Sequence, residues 1–197
     1  MKRDITVTFD NMSYNSENES FKSITTFEEA YKALGINCDD IDSTIEGIIE
    51  SSCSNSAVAM FKLNIINWAL NLGYNLQLTE NPKDSYIYYP YNPFADESSN
   101  YVDKFNADKP SKKLRKIGKI KNKGVLYNVL GGAAVLSSGK GVACFCSGSK
   151  VGYGYFDSGF LGCATEEIAE HFSRYFGMLI TEAKYGDLEG VEIMNIN

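Results

Sequence analysis

One segment, residues 56–72, limits the possible folds more than any other part of this sequence. Its apolar residues cover more than half of the circumference of a helix; they are Val58, Phe61, Leu63, Ile65, Ile66, Trp68, Ala69 and Leu70. The polar residues between them are Lys62, Asn64, Asn67 and Asn71. A helix that is apolar over so wide an arc lies inside a core rather than on its surface. With Ser54, Asn55 or Ser56 as its cap and Gly73 after its end, the segment predicts one central, buried helix.

Other helices are predicted on both sides of the central one. Thr26 can cap a first helix, with Glu29 as its capping-box partner and Gly35 after its end. Isoleucines among acidic residues predict a second helix over residues 39–51. A closing amphipathic helix is predicted over residues 165–182, because Thr165 can cap it and glutamates follow at its positive end.

Residues 114–160 have the pattern of strands separated by short turns rich in glycine and serine. β-prone runs of this length, with such turns between them, are typical of an antiparallel meander. The predicted strands are residues 116–120, 125–130, 133–136, 142–146 and 151–156. We therefore predict a single α+β domain over residues 1–197. N-terminal helices, one of them central and buried, precede a meander of about four to five strands, on which the C-terminal amphipathic helix packs. Residues 1–22 are expected to be partly irregular, and residues 95–124 to form a polar, then basic, loop.

Composition limits the cellular compartments in which this domain is expected. The longest apolar stretch, residues 125–136, is far shorter than the roughly 20 residues that span a membrane, so no membrane partner is predicted. The N-terminus has no apolar stretch typical of a signal peptide. The five cysteines are an odd number without an export signal, which favours reduced thiols in a reducing compartment.

Charge is distributed unevenly along the chain. The formal net charge is −6, yet eight of the 19 basic residues and no acidic residue lie in residues 109–123, leaving 11 basic against 25 acidic residues elsewhere, or −14. We name Lys112, Lys113, Arg115, Lys116, Lys119, Lys121 and Lys123 the basic strip. Such a strip can neutralise the phosphates of a nucleic acid, or it can dock on an acidic protein, including a neighbouring copy of this chain. No known nucleic-acid-binding motif accompanies it, so nucleic acid is the less favoured partner.

A dense aromatic segment lies before the basic strip; it consists of Tyr86, Tyr88, Tyr89, Tyr91 and Phe94. The neighbouring prolines, Pro90 and Pro93, confine it to an edge strand or end it. Tyrosines in such a place can form a contact surface. They can equally cover the central helix and keep only their hydroxyls at the rim. Both interpretations remain open from the sequence.

Residues with catalytic or metal-binding chemistry are present but not in the required patterns. Cys144 and Cys146 could share one face of a strand, yet a zinc site needs four ligands, usually in paired spacing. Cys163 precedes a helix, but the only histidine, His171, lies two turns along that helix and points elsewhere. The glycine-rich segments lie between strands and do not open a helix, as a phosphate-binding loop would. We therefore predict no enzyme activity, no cofactor and no metal.

Three segments resemble a known family. They are residues 26–36 (TFEEAYKALGI), residues 61–73 (FKLNIINWALNLG) with the later Tyr88-Tyr89-Pro90 step, and residues 168–172 (IAEHF). Together they resemble small proteins from tailed phages and prophages of gut Bacteroidetes, crAss-like phages among them. The resemblance does not include residues 109–123, and its motifs are structural. It implies a phage origin and carries over no catalytic residue.

Two functions follow as expectations. The first is a non-enzymatic, virion-associated subunit of the capsid or tail, which contacts other phage proteins or copies of itself. The second is a host-takeover or anti-defence protein in the host cytoplasm, which binds a nucleotide, a nucleic acid or a host protein. The protein is thus expected in the virion or in the host cytoplasm.

Overall fold

The computed structural model describes residues 19–72, 86–108, 114–138 and 161–196. After a short 3-10 helix (Glu19–Ser23), its helices are α1 (Phe27–Ala33), α2 (Cys38–Ser52), α3 (Asn55–Leu70), α4 (Tyr101–Asp108) and α5 (Glu166–Tyr185). Its strands are β1 (Tyr86–Tyr91), β2 (Phe94–Asp96), β3 (Arg115–Asn122), β4 (Val125–Gly131), β5 (Ala133–Ser138) and β6 (Val191–Asn195). The predicted α+β class is confirmed, with antiparallel sheets and a C-terminal helix packed on them. The strands predicted over 142–146 and 151–156, and most of the segment 1–22, lie outside the described residues.

The helix ends follow the local signals in the sequence. The hydroxyl of Thr26 accepts a bond from the N–H of Glu29 at 3.2 Å, and the Glu29 carboxylate accepts one from the N–H of Thr26 at 2.9 Å. This is the predicted capping box. It satisfies N–H groups at the helix start, which have no carbonyl partner because no helical turn precedes them. Ser54 caps α3 and Thr165 caps α5 in the same way, each through its hydroxyl. The predicted helix starts are therefore confirmed to within a residue.

Helices α3 and α5 pack against each other and form the centre of the main core. Leu63, Ile66 and Leu70 of α3 and Ile168 and Phe172 of α5 are almost completely buried. Burying a side chain of this size stabilises a fold by roughly 1.5–3 kcal/mol relative to leaving it exposed. The prediction of a central buried helix is confirmed for α3, and α5 is buried to a similar degree.

One side chain of α3 lies outside the predicted core. Trp68 is 65% exposed, whereas the neighbouring Asn67 and the later Asn71 are buried. The Asn71 side chain accepts a bond from the N–H of Ala164 at 2.9 Å and donates one to the carbonyl of Gly162 at 3.2 Å. These bonds satisfy backbone groups just before α5, so the asparagine faces inward and the indole outward. The placement of Trp68 in the core was wrong.

The strands form two antiparallel sheets, ordered β1-β5 and β2-β4-β3-β6. Two residues separate β1 from β2, and Gly132 alone separates β4 from β5. Both chain segments therefore leave one sheet and enter the other at the same place, between the pairs Tyr91↔Ala133 and Phe94↔Val129. Gly132 has a φ of +94°, which glycine adopts without strain. Unlike consecutive strands of a simple meander, β4 and β5 lie in different sheets.

We call this crossing the corner, and two buried polar side chains hold it. Asn92 donates to the carbonyl of Leu130 at 2.8 Å and to the carbonyl of Ser173 at 3.0 Å. The hydroxyl of Ser173 donates to the carbonyl of Tyr91 at 2.8 Å and accepts from the N–H of Gly132 at 3.0 Å. Backbone groups buried without such partners would each cost about 1–3 kcal/mol. The corner is therefore tied to α5 by hydrogen bonds as well as by packing.

Strand β1 contains Pro90 without losing a bond to β5. Tyr88 exchanges both of its backbone bonds with Cys163, at 3.1 and 2.7 Å, so these groups point away from β5. Residues two apart in a strand direct their backbone groups to the same side. The ring nitrogen of Pro90 thus faces away from β5, where no ladder bond is needed.

The described residues of the range 95–124 do not form the predicted loop. They contain the end of β2, helix α4 and strand β3, which lies between β4 and β6 in the four-stranded sheet. The apolar side of α4 (Tyr101, Val102 and Phe105) packs around Ala95, Leu114 and Leu130. The polar composition hid α4, because three apolar residues suffice for a short helix. Strand β3 contains the strand predicted over residues 116–120, and its lysines lie on the face turned away from α5. The prediction of a loop was wrong.

Candidate functional site

The fold divides the aromatic segment between two faces. The ring of Tyr88 packs against the main core, and the ring of Phe94 lies 5.7 Å from that of Tyr185 in α5. Tyr89 and Tyr91 alternate with Tyr88 and so point to the opposite face, where burial raises the pKa of both hydroxyls. The side chain of Tyr86 lies outside the described part. The rings are not brought together on one face, and their role as a contact surface stays a prediction.

The basic strip belongs mostly to strand β3. Lys119 forms an ion pair with Glu97 of the β2–α4 connection, and Lys121 forms one with Glu192 of β6 at 2.8 Å. Arg115, Lys116 and Lys123 are exposed and have no ion-pair partner among the described residues; Lys112 and Lys113 lie outside them. Exposed pairs of this kind stabilise a fold by less than about 1 kcal/mol, so they set local charge rather than stability. Within the described ranges, these three cations of the strip are left for a partner.

A tight turn between β3 and β4 determines which backbone groups of the sheet face outward. Lys123 and Gly124 have φ values of +49° and +82°, the left-handed pair of a type I′ turn. Such a turn is closed by a bond between its first and fourth residues, Asn122 and Val125. Hydrogen-bonded and non-hydrogen-bonded positions alternate along an antiparallel strand, and Asn122 is bonded to β4. The backbone groups of Lys121 and Lys119, one and three positions before Asn122, therefore point to the other side and face β6.

Strand β6 forms one edge of the four-stranded sheet. Its residues Glu192 and Met194 pair with Lys121 and Lys119, so they use their backbone groups in the bonds to β3. Val191, Ile193 and Asn195 therefore direct their backbone groups away from the sheet. The N–H of Val191 is satisfied by the carbonyl of Leu188 at 3.2 Å. Among the described residues, no strand pairs with this outer side of β6.

A groove of about 400 Å³ runs beside β6 on the face toward α5. The side chains of Val191, Ile193 and Asn195 line one wall. Met178, Leu179 and Glu182 of α5 are among the residues that line the other. Two exposed apolar side chains flank the strand, Leu188 before it at 53% and Ile196 after it at 47% exposure. We call β6, its groove and these two flanking residues the open edge.

The turn that leads into β6 is fixed to the start of α3. The carboxylate of Asp187 accepts bonds from the hydroxyl of Ser54 and from the N–H of Asn55, the latter at 3.0 Å. The bond from Ser54 is the main cause that lowers the pKa of Asp187. A negative charge at a helix start is also favoured by the helix dipole. The open edge is thus held in position from outside the sheet.

His171 and Cys163 are placed for packing. The Nε2 atom of His171 lies 2.7 Å from the carbonyl oxygen of Ile24, and the imidazole meets the ring of Phe21 edge to face. Burial lowers the pKa of His171 and raises the pKa of the Cys163 thiol, so burial favours the neutral form of each. Neither side chain is presented to solvent for chemistry.

The described residues contain no cluster suited to a metal ion. No three His, Cys, Asp or Glu side chains in these ranges are grouped closely enough to hold a metal ion. Cys144 and Cys146 lie outside them. In the same part of the chain, no helix has the length and apolar character needed to cross a bilayer.

The open edge was missed by the sequence interpretation. A signal was present, since Val191 and Ile193 alternate with Glu192 directly after Gly190, which has a φ of +76°. A strand of five residues is short, and its place beside β3 depends on contacts distant in sequence. Comparison of the chain with protein-family models, curated proteins and solved structures gives no significant match. Function must therefore be argued from the geometry of this surface and from the basic strip.

Proposed function

We propose that the protein is a non-enzymatic subunit associated with a phage capsid or tail, and that it works through contacts with other phage proteins or with copies of itself. The observation that carries this proposal is the open edge, where a strand with outward backbone groups is flanked by the exposed Leu188 and Ile196. Edge strands of this kind are templates for pairing with another chain. The phage setting is supported by the resemblance of residues 26–36, 61–73 and 168–172.

Further support comes from the positions of two side chains that could be reactive, His171 and Cys163. His171 contacts a backbone carbonyl in the core, and the thiol of Cys163 is buried. In many enzymes such groups line a cleft, where their pKa values are tuned for proton or group transfer. Here the described surface offers cations without an ion-pair partner in the described ranges, a sheet edge and exposed apolar side chains, which are means of contact.

Mass spectrometry of purified virions tests this proposal. We expect peptides of this protein in particles purified by density gradient, at a ratio to the major capsid protein that stays constant between preparations. An abundant non-structural phage protein, followed in the same samples, controls for carry-over from the lysate. Absence of this protein from particles, while it is present in the infected cell, would overturn the assignment.

A second function is favoured by Arg115, Lys116 and Lys123, which are exposed without ion-pair partners among the described residues. A cytoplasmic host-takeover or anti-defence protein that binds a nucleotide, nucleic acid or host protein would use such cations against phosphates or acidic side chains. Protein purified at low salt would then retain nucleotide or nucleic acid. Replacing Lys116 and Lys123 by Ala would lower that retention, whereas Lys32→Ala on α1 would not. Clean protein with no ligand at low salt would count against this alternative.

A further inference from the structure

Helix α2 carries a line of acidic side chains on its outer side. The helix contains no basic residue, and its acids recur at spacings of three and four residues, which place them on one face. We call these the acidic stripe: Asp39, Asp42, Glu46 and Glu50. All four are exposed, and none forms an ion pair within the described ranges. Ile41, the buried residue of α2, points the other way, toward α3.

Strand β3 carries a line of cations on the face turned away from α5. A Cβ atom at Gly118 would meet Met178 of α5, so the side chains at alternate positions of the strand point outward. Lys116 lies opposite Leu130, on the face that α4 covers in part. We call the cations of this face and of the turn after it the outer lysines: Lys116, Lys119, Lys121 and Lys123.

The acidic stripe and the outer lysines lie on opposite sides of the molecule. Ile65 and Phe61 of α3 pack with α2, whereas Leu63 and Ile66 of α3 belong to the main core that α5 shares. Helix α5 in turn contacts the sheet. The layers therefore follow in the order α2, α3, α5 and sheet, so the two lines of opposite charge cannot meet within one chain.

We propose that copies of this chain associate head to tail, with the acidic stripe of one copy on the outer lysines of the next. This inference rests on the proposed function and deepens it by naming one partner and both contact surfaces. The two lines have similar lengths: Asp39 and Glu50 lie roughly 16 Å apart along the helix, and Lys116 and Lys121 roughly 16 Å apart along the strand. Complementary lines of charge favour this pairing and penalise the contact of like surfaces.

Two of the outer lysines have ion-pair partners within their own chain, Glu97 and Glu192. These pairs are exposed, so carboxylates of a second copy can replace them at little cost. Lys116 and Lys123 have no ion-pair partner among the described residues and leave this face with a surplus of positive charge. Ile49, which is 50% exposed and borders the acidic stripe, adds an apolar contact to the charges.

Analytical ultracentrifugation of the full chain tests this contact. At low salt we expect the mean mass to rise with protein concentration, and about 0.5 M salt to reverse the rise by screening. Lys116→Glu and Glu46→Lys should each weaken association roughly tenfold, since like charges then face each other. Lys32→Glu on α1 and Glu189→Lys before β6 are matched reversals that should not weaken it. A monomer up to roughly 100 µM at low salt, or association that neither reversal in the contact weakens, overturns the proposal.

Mixing the two reversed variants tests whether a second copy is the partner. Lys116→Glu copies keep the native acidic stripe and Glu46→Lys copies keep the native outer lysines, so association should return in the mixture. No recovery on mixing overturns the proposal and leaves an acidic protein or a nucleic acid as the occupant of the outer lysines. Failure here with the protein present in virions overturns the head-to-tail contact alone, whereas recovery with the protein absent from virions overturns the proposed function alone.

Discussion

The corner and the open edge treat the hydrogen-bonding groups of their backbones in opposite ways. At the corner, where both strands leave one sheet for the other, backbone groups are buried and are satisfied by Asn92 and Ser173. At the open edge, the backbone groups of Ile193 and Asn195 point away from the sheet, and no strand among the described residues pairs with them. The first arrangement satisfies these backbone groups within one chain. The second leaves the backbone groups of Ile193 and Asn195 without a strand partner in the part of the chain that the structure describes.

This difference separates residues that stabilise the fold from residues that are free to bind. A buried polar group must be satisfied internally, because leaving it without a partner costs about 1–3 kcal/mol. An exposed edge carries no such cost, so its residues can change with little loss of stability. Variants at the two places should therefore differ widely in their free energies of unfolding.

The largest effect is expected from Gly177→Ala in α5. A Cβ atom at Gly177 would lie 2.1 Å from Nδ2 of Asn92 and 2.5 Å from Cδ1 of Ile117. Because Asn92 is held by bonds to two carbonyls, it cannot move aside, and we expect a loss of about 3 kcal/mol or more in urea unfolding. Gly47→Ala on α2 is the control, since no atom lies within 4 Å and alanine favours a helix by roughly 0.5–1 kcal/mol. Equal stabilities of the two variants would contradict this account of the corner.

Ser173→Ala is expected to have the next largest effect. It removes the hydroxyl that bonds the carbonyl of Tyr91 and the N–H of Gly132, and leaves both groups buried. A loss of about 2 kcal/mol should appear in urea unfolding. Ser52→Ala, which removes an exposed hydroxyl bonded to the carbonyl of Ile48, should change stability by less than about 0.5 kcal/mol. If Ser173→Ala has the same free energy of unfolding as Ser52→Ala, water satisfies the backbone groups of Tyr91 and Gly132 that the hydroxyl had bonded.

The corner also shows where sequence interpretation stops. The caps at Thr26, Ser54 and Thr165 were predicted because each acts on residues two or three positions along the chain. The burial of Asn92 depends on Ser173, which lies 81 residues away, and nothing local distinguishes it from a turn asparagine. Trp68 was misplaced for the same kind of reason, since its helix turns Asn71 inward to bond distant backbone groups.

The candidate surface was predicted in part. The charges of the basic strip were found from composition, and the strand predicted over residues 116–120 lies within β3, whereas α4 was taken for part of a loop. The open edge was not found, since its outward side follows from the Lys123-Gly124 turn geometry and from the order of strands in the sheet. Side-chain chemistry is visible in a sequence, but unpaired backbone groups are visible only in a structure.

An intermediate effect, dependent on pH, is expected at Asp187, which fixes the turn before β6. A carboxyl whose pKa is lowered in the folded state stabilises the fold fully above its ordinary pKa of 3.8 and loses this contribution as the pH falls through the folded value. Thermal unfolding should therefore show a smaller fall in Tm between about pH 4 and pH 2 for Asp187→Asn than for the unmodified protein. Glu189→Gln, in the same turn, removes a charge without a contact to α3 and is the control. Identical profiles for all three proteins would show that Asp187 does not fix the turn.

The smallest effect on the single chain is expected from Leu188→Lys and Ile196→Lys at the open edge. Both side chains are about half exposed, and the bonds of Leu188 to Tyr185 and Val191 use backbone atoms only. In dilute solution, each variant should unfold within about 0.5 kcal/mol of the unmodified protein. A large loss already in dilute solution would mean that these side chains pack within their own chain, and the contrast between the corner and the open edge would then disappear.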